Sequence, residues 1–206
     1  MWQTLLELYP PLQSIDCIFD ADDKSMMQFM PGPPPKLFFP EQADLQFFAD
    51  LKVNRPLSCE LACKQLGIEL DQLTPEFLRA FIFLHECGHA HDFIVNFSNF
   101  STLEHPENSF LRFEDACMRC NERQEYELKK LPIPVTPSGF LASKREYPQY
   151  LEQLLSEYLQ KSEITDDDYV RVFTELEHSY KSLPSEQYAD NFAVTFLRSQ
   201  HFIPLS

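Results

Sequence analysis

The spacing of apolar residues along the chain changes character near residue 41. Before it, short apolar runs alternate with turn residues: Ser14-Ile-Asp-Cys-Ile-Phe19, the polar Asp20-Ala-Asp-Asp-Lys24, then Ser25-Met-Met-Gln-Phe-Met30. That pattern reads as strand, turn, strand. Pro31-Gly-Pro-Pro-Pro35 lacks the N–H donors that a sheet interior requires and predicts an extended connector, with Lys36-Leu-Phe-Phe39 as a third short strand. From Glu41 the period is helical. Leu45, Phe47, Phe48 and Leu51 mark a helix over 41–52, and a second runs from Ser58 to Leu66, stopped by Gly67. Thr74, Pro75 and Glu76 form a strong start signal of N-cap, first helical position and first-turn acid, so a long helix is predicted from there through Phe81 and Leu84 to about Asn96.

Residues 97–109 are polar and loop-like. A helix is predicted from about Phe110 to Lys130, ended by Pro132 and Pro134, and Pro137-Ser-Gly139 marks a turn. Three more helices are predicted at about 148–161, 166–181 and 185–199. There is no internal repeat and no stretch of linker composition. The expected architecture is therefore a single α+β, mostly helical domain over residues 1–206, with a helical elaboration at about 97–184.

Composition narrows the function. Of 206 residues, 44% are hydrophobic and 24% charged, the mix of a globular protein rather than a disordered one. Four Gly against sixteen Pro argue against a Gly-rich phosphate loop and against an all-β fold of tight turns. The net charge of −15 repels phosphate backbones and anionic lipid surfaces, so nucleic-acid and membrane partners are disfavoured and peptide or protein partners remain. No apolar run reaches the roughly 18 residues a membrane span needs. The beginning MWQTLLELYPPLQ has no basic, small-residue leader pattern. The six Cys are accordingly read in a reducing, cytoplasmic setting.

The long predicted helix carries His85-Glu86-Cys87-Gly88-His89, an HExxH pattern. Two residues four apart share a helical face, so both imidazoles can reach one ion, and neutral imidazole suits zinc. Glu86, one step round, can accept a proton from a water at that ion. A third ligand must come from elsewhere. In Glu186-Gln-Tyr-Ala-Asp-Asn-Phe-Ala193, Glu186, Ala189 and Ala193 fall on one stripe whose small residues permit a close approach to the first helix, as does Gly88. Glu186 would then ligate, while Asp190, a turn on, would hold an imidazole N–H from behind.

HECGH with the downstream ExxAD-x-FA resembles the gluzincin-type HExxH metallopeptidases, and Glu186 to Leu197, with Pro204 shortly after, is most similar to the second motif of ImmA/IrrE-type metallopeptidase-like proteins. The resemblance covers the two motif helices and not residues 97–184. It implies a zincin-like domain with a small N-terminal β-sheet, an HExxH active helix and a C-terminal ligand-bearing helix. It further implies one catalytic zinc on His85, His89 and Glu186, and Glu86 as general base. The gap from His89 to Glu186 is longer than that family's, which keeps Glu114, Glu122 and Glu125 as rival third ligands.

The expected activity is zinc-dependent hydrolysis of a peptide or protein substrate; the alternative is a metal-binding regulatory or interaction domain without turnover. His178, Tyr180 and Tyr188 are the candidate oxyanion donors, although none of them has its position fixed by the pattern. Cys59, Cys63, Cys117 and Cys120 could hold a second, structural zinc, but their i,i+3 and i,i+4 spacing reads better as buried thiols. Asp92 shares a helical face with His85 and reads as solvated, and the acidic run from Glu163 to Asp168 reads as a helix N-terminus.

Overall fold

The structure is a computed structural model that describes residues 2–20, 27–32, 34–40, 44–97, 108–113, 115 and 137–202. It is mostly helical with one small three-stranded sheet. The chain divides into two compact units, one made of residues 1–115 and 185–206 and the other of residues 116–184.

The first unit opens with helix α1 (Trp2–Leu8), which the sequence pattern did not predict: it is only seven residues long and has no acid in its first turn or base in its last. Strands β1 (Asp16–Asp20), β2 (Gln28–Met30) and β3 (Lys36–Pro40) follow. The reading of strand, turn, strand located the first two strands but not their pairing. β3 lies between them, parallel to β1 and antiparallel to β2. The reason is burial: β3 hides both Leu37 and Phe39, whereas β2 hides only Phe29, and the most apolar strand takes the position flanked on both sides.

Helices α2 (Leu45–Asn54) and α3 (Pro56–Leu66) come next. Asp44 caps α2 by accepting from the Gln46 N–H, and α3 ends on Gly67 in the left-handed conformation that a residue without Cβ adopts freely. Phe48, Cys59, Cys63, Leu73 and Leu78 form one core cluster here, each large side chain worth about 1.5–3 kcal/mol on full burial. Helix α4 (Pro75–Asp92) begins at Thr74, whose hydroxyl accepts from the Phe77 N–H at 3.2 Å. Its regular turns stop at Asp92, short of the predicted Asn96, and a wider π-type turn covers Phe93–Phe97. A helical segment occupies residues 108–113, and the rest of the predicted 110–130 helix lies outside the described residues. Helix α8 (Pro184–Ser199) completes this unit and buries Glu186, Ala189, Asp190, Ala193 and several large apolar residues.

The second unit holds α5 (Pro137–Glu146), α6 (Pro148–Leu159) and α7 (Asp166–Lys181). The Pro137-Ser-Gly139 turn signal in fact opens α5, because Pro is tolerated in a first helical turn. Phe140, Leu151, Leu155, Val172 and Leu176 form its core.

Candidate metal centre

Helices α4 and α8 meet at backbone distance. A Cβ added at Gly88 would stand 2.7 Å from the Ala189 Cα and 2.9 Å from its carbonyl oxygen, so no side chain fits there. Glycine between two histidines, facing alanine on the other helix, is therefore what lets a carboxylate of α8 reach the imidazoles of α4.

At that contact His85, His89 and Glu186 converge, with one donor atom from each lying within 4.8 Å of the others. The His85 and His89 Nε2 atoms are 3.0 Å apart, and Glu186 reaches His85 Nε2 with Oε2 and His89 Nε2 with Oε1, both at 3.3 Å. His85 Nδ1 lies 2.7 Å from Asp190 Oδ1. An ionised carboxylate only accepts, so that contact places the His85 proton on Nδ1 and leaves Nε2 a lone pair. Two imidazole nitrogens and two carboxylate oxygens thus face one another in a buried space. A single proton on His89 Nε2 serves one or two of these contacts; a divalent cation serves all of them. The 3.0 Å between the two imidazole nitrogens and the 3.3 Å from each to its own carboxylate oxygen lie near the roughly 3.3 Å ligand separation that tetrahedral bonds of about 2.0–2.1 Å require. This group could hold a metal ion, and its two nitrogens and one carboxylate suit zinc and neighbouring transition metals.

With the two rings protonated instead, burial pushes the Glu186 carboxyl up, but the hydrogen bonds and charges of His85 and His89 outweigh that and hold it well below the usual carboxylate range. Asp92 is buried rather than solvated, contrary to the sequence reading. It accepts from Asn96 Nδ2, and burial raises its carboxyl despite that bond and the nearby His89 and His91. The π-type turn after α4 places Asn96 over it, and helical spacing alone gave no sign of this.

The remaining candidates sit as follows. Glu86 is half-buried, and its Oε2 accepts the backbone N–H of Phe29 in β2 at 2.7 Å. Sequence could not reveal that contact, because the donor is backbone. The Tyr188 hydroxyl lies 2.9 Å from His91 Nδ1, an arrangement the sequence reading also missed. His178 and Tyr180 occupy the last turn of α7 in the second unit, His178 exposed and Tyr180 half-buried. Cys59 and Cys63 are buried among apolar side chains, whereas Cys117 and Cys120, like Glu114, Glu122 and Glu125, lie outside the described residues. No disulfide joins Cys17, Cys59, Cys63 and Cys87 to one another. Burial pushes the Cys87 thiol well up, which marks it as a packing residue inside the motif.

A cavity of about 320 Å³ is lined by Trp2, Phe39, Arg79 and Phe83 among others and by none of the three convergent residues. Among the described residues no helix is long and apolar enough to cross a membrane.

Fold and site together define a mostly helical α+β protein with a buried His-His-Glu group that could bind metal. No family model, curated protein or solved structure matches the chain.

Proposed function

We propose that the chain is a zinc-dependent, metallopeptidase-like hydrolase with a zincin-like first unit, of the gluzincin type and nearest in its second motif to ImmA/IrrE-type proteins, acting on a peptide or protein substrate in the cytoplasm. The observation that carries this reading is the convergence of two imidazole nitrogens 3.0 Å apart, each 3.3 Å from a different oxygen of Glu186, with Asp190 fixing the tautomer of one ring. His85, His89 and Glu186 would hold the ion, which when bound polarises a carbonyl and lowers the pKa of water. Asp190 keeps the His85 ring oriented and its Nε2 basic. Glu86, next along the helix, would take the proton of the attacking water and return it to the leaving amine, a role worth roughly 100- to 10,000-fold in rate. The net charge of −15 favours neutral or basic peptide segments as substrates.

One contact favours a second reading, a metal-binding regulatory or interaction domain without turnover: the Glu86 Oε2 is already engaged by the Phe29 N–H. Metal analysis and a peptide-cleavage screen of the parent beside Glu86→Gln separate the two. The hydrolase reading expects slow cleavage by the parent, a loss of about 100-fold or more in the variant, and equal zinc in both. Equal cleavage, or none in either, overturns it.

A further inference from the structure

Strand β2 is at the edge of its sheet: the order β1-β3-β2 leaves its far side unpaired among the described residues. Opposite β3, Gln28 faces Phe38, Phe29 faces Leu37 and Met30 faces Lys36. Backbone groups point to alternate sides along a strand. Since the Phe29 N–H turns to Glu86, it belongs to the open side, and Gln28 and Met30 serve the ladder. The Phe29 ring is buried, 5.7 Å from Phe93 and 6.2 Å from Phe113 between centroids, so the donor is held in place. At 2.7 Å the contact has the length of a charge-assisted hydrogen bond. A carboxylate oxygen therefore sits where the carbonyl oxygen of an added strand would accept.

We propose that Glu86 is a latch released by substrate. Without peptide it caps the open edge of β2 through the Phe29 N–H; an extended peptide that pairs with this edge takes that donor and frees Oε2 for proton transfer. Recognition of the backbone and activation of the base are then one event. A free carboxylate would meet solvent only once a peptide is seated, and an edge that could otherwise pair with a second copy of the chain is blocked in the resting state. The inference takes the role of Glu86 as base from the hydrolase reading, while the latch itself is a binding competition that needs neither metal nor turnover.

The test uses the full chain stripped of metal by chelation. An acetylated, amidated hexapeptide of alternating Val and Thr is titrated into the parent, Glu86→Gln and Glu86→Ala by calorimetry. The latch predicts that Glu86→Ala binds about tenfold more tightly than the parent, the effect of one competing hydrogen bond to a charged group. Glu86→Gln falls between, since a neutral amide oxygen is the weaker acceptor. Hydrogen exchange gives a second measurement on the unmutated protein: the Phe29 amide exchanges slowly in the parent, and it becomes fast in Glu86→Ala until peptide is added. Equal affinities in all three proteins, or a fast Phe29 amide in the parent, overturn the latch. If the affinity order holds but zinc binding or cleavage fails, the latch stands and the hydrolase reading falls.

Discussion

Each unit buries a carboxylate in the first turn of a helix, and the two acids keep opposite company. Asp168 of α7 accepts from the Thr165 N–H and hydroxyl in a reciprocal cap and from Lys161 Nζ at 2.7 Å. Every one of those groups is a donor, and together they hold its carboxyl below the usual range, the bond to Lys161 foremost. Glu186 of α8 instead faces two imidazole nitrogens, one of which Asp190 has turned into an acceptor. Helix position alone makes both acids look like dipole partners. The polarity of what faces them separates a structural carboxylate from one that could hold a cation.

The most severe break in that contrast is to neutralise each acid in turn. Glu186→Gln should abolish the binding of about one zinc per chain expected of a three-ligand site, while Asp168→Asn leaves the metal content unchanged. Atomic spectroscopy after dialysis against zinc reads the outcome directly. Asp190→Asn comes next. It keeps the shape and an oxygen that can accept but loses the charge that holds the His85 proton on Nδ1, and metal affinity should fall about 10- to 100-fold, measured by competition with a chromophoric chelator.

Gly88→Ala probes the approach that brings Glu186 into range. Because the new methyl meets backbone rather than a flexible side chain, urea unfolding should show a loss of about 1–3 kcal/mol. A neutral result would mean that α4 and α8 are farther apart than described.

The smallest effect belongs to Asp168 and depends on pH. Its folded carboxyl titrates below the ordinary 3.8, so its stabilisation is complete above that value and is lost as pH falls beneath it. Parent and Asp168→Asn melting temperatures, compared from pH 7 to pH 2, should differ most at neutral pH and converge at the acid end.

Much of this was legible because helices announce themselves locally. Thr74-Pro75, the HExxH spacing and the Glu186-Ala189-Ala193 stripe each encode a cap, a face or a close contact within a few residues, and the structure shows the cap at the start of α4 and brings the two motifs together at the Gly88–Ala189 contact. What escaped was set by partners distant in sequence. The insertion of β3 between β1 and β2 depends on relative burial, and the fate of Asp92 depends on a π-type turn that periodicity does not describe. The Phe29–Glu86 contact comes from a backbone donor, for which any residue but proline has the same sequence signature.

The pairing of His85 with Asp190 spans 105 positions of the chain. During synthesis, at about 5–20 residues per second, α4 is complete several seconds before the first turn of α8 leaves the ribosome. The nascent protein displays both histidines and Glu86 throughout that interval while the carboxylate that completes the group does not yet exist. The His-His-Glu group therefore forms only when α8 docks, and any ion that needs all three residues waits for that step.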